Sequence, residues 1–202
     1  MHIQFKEIST ELRSTTIDNL RLLQEFLVEV IDESLLVGSY LQPETNQVQR
    51  RIACRSLFSA FEAHSSILKQ SAVVMDQLRE ESVFNEIEML ALRDLEYTVD
   101  QSGSVKKKKA RIRFKDNIKL AFASAAKAHG FDHGIDWGAQ EWQDFSRALE
   151  IRDRITHPKK VDDLTIKDAD LDLIKAAYDC FRRNVKLIAG KMSYPNTIFE
   201  HE

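Results

Sequence analysis

The stretch that decides the fold is residues 54–75, which read CRSLFSAFEAHSSILKQSAVVM. Its apolar and small residues recur at alternating steps of four and three positions, at Cys54, Phe58, Phe61, Ser65, Leu68, Ala72 and Met75. This spacing places side chains along one face of a helix that packs against neighbouring helices. We therefore predict a long helix that follows Pro43 and runs roughly from Glu44 to Leu78.

The composition favours further long helices. The 202 residues include only 6 glycines and 3 prolines, and 43% are hydrophobic, which is enough to form a core. Helical patterns recur from near Thr16, at Phe84–Leu92, at Asp116–His129, from Gln140 to Pro158, and from the capping-box-like Thr165-Ile-Lys-Asp168 to Ala189. We predict a single all-α domain, an up-and-down bundle of four to six helices. Its core spans about residues 16–190, and a flexible tail covers about residues 191–202.

The middle of the chain changes to a period of two residues. The alternating apolar positions are Leu95, Tyr97 and Val99 before the Gln101–Ser104 turn, and Ala110, Ile112 and Phe114 after it. Such alternation on both sides of a glycine-containing turn is typical of a β-hairpin, which we predict as a small insertion near residues 94–114. The polar positions of the first strand are mainly acidic and those of the second are basic, which favours cross-strand pairing.

The overall composition argues against several classes of protein. The formal net charge is -3, so any attraction to nucleic acid must come from a local surface. Cys54 and Cys180 have neither metal-type spacing nor a disulfide framework, which favours a reducing compartment. The first residues lack a signal-peptide pattern, and no apolar stretch approaches the roughly 20 residues of a membrane helix. We expect a cytoplasmic protein that uses no cofactor and does not contact a membrane.

The feature with the clearest chemical meaning is Arg152, Asp153 and His157 at the end of the helix that precedes Pro158. Arg152 continues the apolar stripe of that helix, so we expect its guanidinium at the edge of the bundle. A proline disfavours helical dihedral angles at the residue before it. The backbone can therefore leave the helix at His157, and the imidazole can turn back toward Arg152.

This residue pair suits metal-independent cleavage of RNA. A histidine can take a proton from a 2′-hydroxyl or give one to the leaving oxygen, because its pKa lies near neutrality. An arginine can hold the phosphate and offset the charge that develops on it. Asp153 could orient either side chain, and the helix C-terminus favours the charged imidazolium. One histidine does not easily act as both base and acid, so a symmetric dimer would help.

A purely structural interpretation of the same residues stays open. Basic side chains at a helix C-terminus satisfy carbonyl groups and interact with the helix dipole without any further function. Random placement of the chain's arginines and histidines would also give about one such pair. The spacing alone therefore does not decide between the two interpretations.

The Arg152-Asp153…His157 pattern resembles the motif of the HEPN superfamily, small helical bundles found in prokaryotic toxins, defence systems and RNA-processing factors. Members carry an arginine, a polar residue and, a few positions later, a histidine near the junction between the last two core helices. The match includes the proline and lysine after His157, the Asp163-Leu-Thr sequence and the amphipathic helix that follows. It extends over roughly Thr45 to Ala189, of which the short motif is the specific part.

The resemblance implies a HEPN-like fold and a metal-independent endoribonuclease, within a prokaryotic toxin or phage-defence system. Arg152, His157 and Asp153 would be catalytic, and Arg154, Lys159 and Lys160 would bind RNA. The implied partners are RNA, a second copy of the chain in a homodimer, and an antitoxin or defence partner protein. The chain has Asp153 where many members have asparagine, and Lys159 where some toxins have a tyrosine. The alternative is a non-catalytic helical module that binds RNA or protein.

Three further groups are secondary candidates. Glu62 and His64 could reach a site at the edge of the bundle, although we expect both to be ordinary exposed side chains. The segment Lys106–Lys119 is rich in lysine and arginine and could contact phosphates, with a solvated hairpin as the simpler interpretation. Asp132, His133 and Asp136 lack a second cluster at metal-binding spacing, so we predict a loop without metal.

Overall fold

A computed structural model of the chain describes residues 41–192 and, before them, residues 14, 15, 18, 19, 22, 23, 25, 26, 29 and 30. The helix predicted from near Thr16 is helical at each of these earlier positions. The remainder of that predicted helix, and the predicted tail from residue 193 onward, lie outside the described residues.

The described part of the chain is mostly helical, with a small two-stranded antiparallel sheet. In chain order its elements are α1 (Gln47–Leu78), α2 (Glu86–Leu92), β1 (Leu95–Val99), β2 (Val105–Lys109), α3 (Phe114–Ala128), α4 (Gln140–Thr156), a 3-10 turn η1 (Val161–Leu164) and α5 (Asp168–Lys191). The predicted all-α class with a small hairpin is confirmed. Among the described helices, none is both long and apolar enough to span a membrane.

The described residues fall into two compact units. The unit that we call the hairpin unit includes Ser65–His133, and the unit that we call the motif unit includes residues 41–64 and Gly134–Leu187. Helix α1 therefore contributes its first part to the motif unit and its second part to the hairpin unit. The Arg152–His157 motif lies wholly within the motif unit.

The predicted apolar face of α1 is buried along its length. Its seven positions are each no more than 1% exposed: Cys54, Phe58, Phe61, Ser65, Leu68, Ala72 and Met75. In the motif unit, the Phe61 and Phe181 rings stack with centroids 4.2 Å apart, and Phe58 meets Phe145 edge-on at 6.1 Å. Aromatic pairs of this kind each contribute roughly 0.5–1.5 kcal/mol beyond the area they bury. This cluster supports the helices that carry the motif.

In the hairpin unit, the second part of α1 packs into a separate cluster. Ala72, Met75 and Leu78 are buried together with apolar residues from the following elements, namely Phe84, Leu92 and Ala128. The Lys69 side chain, only 2% exposed, forms an ion pair with Asp94 and donates a hydrogen bond of 2.8 Å to Oδ1 of Asn117. Asp94 has a positive φ of 54° at the entry to β1. A buried lysine thus fixes the start of the hairpin.

Two helix starts differ from the prediction because the capping side chains are not the expected ones. Helix α1 begins at Gln47 rather than Glu44, since the Asn46 side chain accepts the backbone N–H groups of Val48 and Gln49, each at 3.0 Å. Helix α5 begins at Asp168, so Lys167 rather than Thr165 precedes its first turn. There the Asp170 carboxylate accepts the backbone N–H of Lys167 at 3.0 Å. Both side chains satisfy N–H groups that lie at the start of a helix.

The second strand of the hairpin lies earlier than predicted. Strand β1 pairs antiparallel with Val105–Lys109, which is the lysine run, whereas we predicted the strand around Ala110–Phe114. Phe114 already begins helix α3. The turn explains this register, because the Asp100 carboxylate accepts the backbone N–H groups of Ser102 and Ser104 at 2.9 and 3.0 Å. The strand therefore starts directly after Ser104.

Acids pair with bases across the hairpin, but the bases belong to the lysine run of β2 and not to the strand that we predicted further along the chain. Lys108 Nζ lies 3.1 Å from Glu96 Oε1, and Lys106 Nζ lies 2.6 Å from Asp100 Oδ2. The donated hydrogen bonds of Lys106 and Ser102 lower the pKa of Asp100 to about 2. Opposite charges across a strand pair offset the repulsion that a lysine-rich strand would otherwise suffer.

Candidate functional site

Helix α4 ends where His157 meets Pro158. The last helical residue is Thr156, and the backbone N–H of His157 still donates to the Asp153 carbonyl at 2.9 Å. At His157 the backbone angles are φ -123° and ψ 59°, outside the helical region, as expected for a residue before proline. The His157 side chain is exposed, and among the described residues its imidazole has no hydrogen-bond partner. The imidazole is therefore accessible for proton transfer.

The Arg152 guanidinium lies between two carboxylates. Its Nη1 is 2.9 Å from Asp153 Oδ1, and its Nη2 is 3.4 Å from Glu62 Oε1 on helix α1. The Arg152 side chain is 24% exposed, whereas the two acids are more than half exposed. This matches the expected position of Arg152 at the edge of the core. It also brings Glu62, a secondary candidate, into contact with the motif.

We predicted that the His157 imidazole can turn back toward Arg152. Among the described residues the imidazole has no hydrogen-bond partner, so it forms no hydrogen bond with Arg152. Five positions on a helix separate Cα atoms by about 7.5 Å along the axis. The Arg152 side chain is 24% exposed and the His157 side chain is exposed, so both groups are accessible at the end of α4.

A row of polar side chains that sequence patterns do not reveal lies along the first turns of α1. Arg55 donates a hydrogen bond to the carbonyl oxygen of Ile155, and Arg51 donates to that of Leu164 at 3.0 Å. Gln47 exchanges two hydrogen bonds with the backbone of Ile166, at 2.9 and 2.8 Å. These side chains hold the α4–α5 connection that contains His157. Sequence spacing places them on a common side of α1, but it does not identify carbonyl partners about a hundred positions away.

Arg154, which we predicted to bind RNA, is engaged within the protein. Its Nη1 donates to the carbonyl oxygens of Asp163 and Thr165 at 3.1 and 2.8 Å, and its Nη2 lies 2.9 Å from Asp170 Oδ2. These contacts tie α4 to the start of α5. They favour a structural role for Arg154 over contact with RNA.

Lys159 and Lys160 are exposed, and their backbone is fixed by one carboxylate. Asp163 Oδ2 accepts the N–H groups of Lys159 and Lys160 at 2.8 and 3.1 Å. These donated hydrogen bonds, with Lys159 contributing most, lower the pKa of Asp163. The turn after Pro158 is thus ordered, and it presents two lysines next to His157 in sequence.

The buried thiol of Cys54 lies close enough to the motif that nearby arginine charges affect its pKa. Burial raises the pKa of Cys54 to about 12, although the positive charges of Arg152, Arg55 and Arg154 oppose that rise. The thiolate is the reactive form of cysteine. Cys54 therefore stays protonated near neutral pH and serves as a packing residue rather than a nucleophile.

His64 does not join the site, contrary to the expectation that it is exposed beside Glu62. It is only 3% exposed, and its Nδ1 is 2.7 Å from the Ala60 carbonyl oxygen. Its ring meets Phe181 edge-on at 5.7 Å. Burial lowers its pKa, with the Ala60 hydrogen bond acting in the opposite direction. His64 is a core residue because it flanks the buried face of α1, three positions after Phe61.

Within the described residues, no three histidine, cysteine or acidic side chains are grouped so that they could hold a metal ion. No family model, curated protein or solved structure matches the chain. The groups that the site offers for chemistry are an exposed imidazole, a half-buried guanidinium and the two carboxylates that flank it.

Proposed function

We propose that the protein is a metal-independent endoribonuclease of the HEPN type, with His157 and Arg152 as its catalytic residues. The observation that supports this proposal most is the exposed His157 imidazole at the point where α4 ends, on the same helix as a guanidinium that the protein holds at the edge of its core. A histidine free to exchange protons and a fixed positive charge are what transfer of a phosphodiester requires.

In the proposed reaction, His157 takes the proton of a 2′-hydroxyl while its oxygen attacks the adjacent phosphorus. The bond from O2′ to phosphorus forms, and the bond from phosphorus to O5′ breaks. The products are a 2′,3′-cyclic phosphate and a 5′-hydroxyl. Arg152 offsets the negative charge that grows on the phosphoryl oxygens, and Asp153 keeps the guanidinium oriented. The leaving O5′ takes a proton from a second acid, for which the proposed homodimer would supply the partner's histidine.

The ion pair between Arg152 and Glu62 affects how readily Arg152 can bind a phosphate. The Arg152–Glu62 contact is long at 3.4 Å, and the Glu62 side chain is 52% exposed. Exposed ion pairs contribute only about 0–1 kcal/mol. An RNA phosphate, which offers a stronger two-pronged contact to arginine, can therefore replace Glu62 at little cost.

A second candidate function is a helical module that binds RNA or protein without cleaving it. The observation that favours it is that Arg152 already contacts two carboxylates, which is also how an arginine with a purely structural role is held. In that case Arg152 and His157 would form part of a contact surface. The two candidate functions differ in whether His157 catalyses cleavage of RNA.

The test is to incubate pure protein with labelled RNA in the presence of a chelator. The ribonuclease proposal predicts fragments with cyclic-phosphate ends, and it predicts that His157→Ala abolishes them. His133→Ala is the matched control, because it removes another histidine outside the motif unit and should leave cleavage unchanged. Binding without cleavage, weakened by Arg152→Ala, would favour the non-catalytic module.

The biological setting that we propose is a prokaryotic toxin or phage-defence system, in the cytoplasm, with an antitoxin or defence partner protein. A ribonuclease that acts on cellular RNA arrests growth when it is produced alone. Expression of the wild-type chain should therefore slow growth, and expression of His157→Ala to the same level should not.

A further inference from the structure

The lysines of strand β2 form two groups, because successive residues of a strand point to opposite faces of the hairpin. Lys106 and Lys108 are paired with carboxylates, Lys106 with Asp100 in the turn and Lys108 with Glu96 on β1. The odd-numbered cations have no such partner among the described residues. They are Lys107, Lys109, Arg111 and Arg113, which we call the basic row.

The basic row continues along one extended stretch of backbone. Exposure alternates from Lys109 to Arg113, with Ala110 and Ile112 half-buried and the cations between them exposed. The Ala110 N–H still pairs with the Asp94 carbonyl at 2.8 Å, and Arg113 has extended angles of φ -62° and ψ 143°. Alternate residues of extended chain are about 6.6 Å apart. The four cations of the basic row therefore occupy alternate positions along this stretch.

An aromatic ring lies on the same face. The register places Tyr97 opposite Lys107, and its side chain is 45% exposed, with Lys107 Nζ 5.7 Å from the ring centroid. The Tyr97 hydroxyl donates to a Glu86 carboxylate oxygen, which holds the ring in place. Exposed aromatic rings beside lysines provide surfaces on which unpaired bases stack.

A groove adjoins this face within the hairpin unit. It has a volume of about 270 Å³, and its lining includes the apolar side chains of Phe84, Met89 and Leu95, the cations Arg93 and Lys107, and the carboxylate of Glu86 that accepts from Tyr97. Apolar walls with a few cations suit a flat base attached to a phosphate. The groove and the basic row share Lys107, so one strand of nucleic acid could contact both.

We propose that the basic row, Tyr97 and this groove form a binding surface for single-stranded RNA. Unpaired bases are needed for stacking on Tyr97, and the line of cations complements a phosphate backbone. The choice of RNA over DNA rests on the proposed ribonuclease function, whereas the surface itself does not depend on His157. Lysines on the edge of a sheet also prevent aggregation, which is the structural alternative for the same residues.

The hairpin offers a matched pair of variants for the test. Lys107→Gln/Lys109→Gln and Lys106→Gln/Lys108→Gln remove the same charge from the same strand. The probe is a mixed-sequence 2′-O-methyl RNA of about 20 nucleotides, longer than the roughly 4–16 nucleotides that one small binding domain covers. It lacks the 2′-hydroxyl and is not cleaved, so a failure of catalysis does not affect the result. Fluorescence anisotropy with the full chain gives the affinity at several salt concentrations.

The proposal predicts that the Lys107/Lys109 variant binds at least tenfold more weakly, while the Lys106/Lys108 variant binds within about twofold of the wild type. The affinity of the Lys107/Lys109 variant should also depend less on salt concentration. The slope of log affinity against log salt should become shallower by about 0.7 for each phosphate that the two lysines no longer neutralise. Tyr97→Ala should weaken binding roughly tenfold, and Tyr97→Phe, which keeps the ring, should not. Thermal melting followed by circular dichroism verifies that each variant is folded.

Equal losses of affinity in the two double variants would overturn the proposal, because charge alone would then explain binding. The absence of wild-type binding at low salt would also overturn it, as would binding to anionic vesicles with none to RNA. Full affinity in Tyr97→Ala would contradict the stacking role assigned to this residue.

Discussion

Glu62 Oε1 lies 3.4 Å from Nη2 of Arg152, although the two residues are 90 positions apart in the sequence. This contact joins helix α1 to the proposed catalytic arginine at the end of α4. Because both side chains are partly exposed, the pair can be broken by a competing anion at little cost. In the proposed function, an RNA phosphate would take the place of Glu62 beside Arg152.

Replacement of Glu62 by glutamine should strengthen RNA binding. The change removes the carboxylate that competes with phosphate for Arg152, and we expect KM for cleavage to fall by up to about fivefold. Glu150→Gln, an exposed change on α4 that removes the same charge, is the control and should alter KM less. A higher KM in Glu62→Gln would show that Glu62 positions Arg152 for the substrate rather than competing with it.

Arg154→Gln should destabilise the protein. The guanidinium holds two carbonyl oxygens and the Asp170 carboxylate, and removal of these interactions should lower the free energy of unfolding by about 2 kcal/mol. Arg147→Gln is the control, since the Arg147 side chain is 61% exposed and its Nη1 lies 3.5 Å from Asp144 Oδ1 on the same helix. Urea unfolding of both variants measures the difference. Equal stabilities would show that Arg154 does not anchor the α4–α5 connection.

The buried Lys69 and its partner Asp94 should show strong coupling. Asp94→Asn tolerates the positive φ but leaves the lysine charge without its carboxylate, so we expect the free energy of unfolding to fall by about 3 kcal/mol. Adding Lys69→Met removes the unpaired charge and should restore part of that stability. Denaturant unfolding of the two single variants and the double variant completes the cycle. Additive losses of stability would contradict the coupling between Lys69 and Asp94.

The burial of His64 makes the stability of the protein depend on pH. Its folded-state pKa is lower than the ordinary value of 6.5, mainly through loss of solvation. Below about pH 6.5 the unfolded chain therefore binds more protons at His64 than the folded protein does. The stability that neutral His64 contributes is lost as the pH falls. We expect the difference in unfolding free energy between pH 7.5 and pH 5.5 to be smaller in His64→Leu than in the wild type. An unchanged difference would contradict this account.

Sequence patterns predicted those parts of the fold that are determined by residues close together in the chain. The buried face of α1 follows from its apolar spacing, and the end of α4 follows from Pro158. The position of β2 could not be derived this way, because lysines have little preference for strands and the register depends on Asp100 and Glu96. His64 was misjudged as exposed, although its place three residues after Phe61 puts it beside the buried face.

The candidate site was predictable only in part. Arg152, Asp153 and His157 stand close together in the sequence, and the proline gave a physical reason for the exposed imidazole. Arg51 and Arg55 were missed because their partners are backbone carbonyls, which no residue type reveals. The engagement of Arg154 was missed for the same reason, since two of its three contacts are carbonyl oxygens of the α4–α5 connection.

The most direct measurement uses an oligonucleotide of 2′-O-methyl residues with one ribonucleotide at its centre, incubated with the protein in a chelator. We predict a single cut on the 3′ side of the ribonucleotide, a 2′,3′-cyclic phosphate on the 5′ fragment, and loss of the cut in His157→Ala. Cleavage that persists in His157→Ala, or an intact oligonucleotide with folded, dimeric wild-type protein, would contradict the claim that His157 catalyses RNA cleavage.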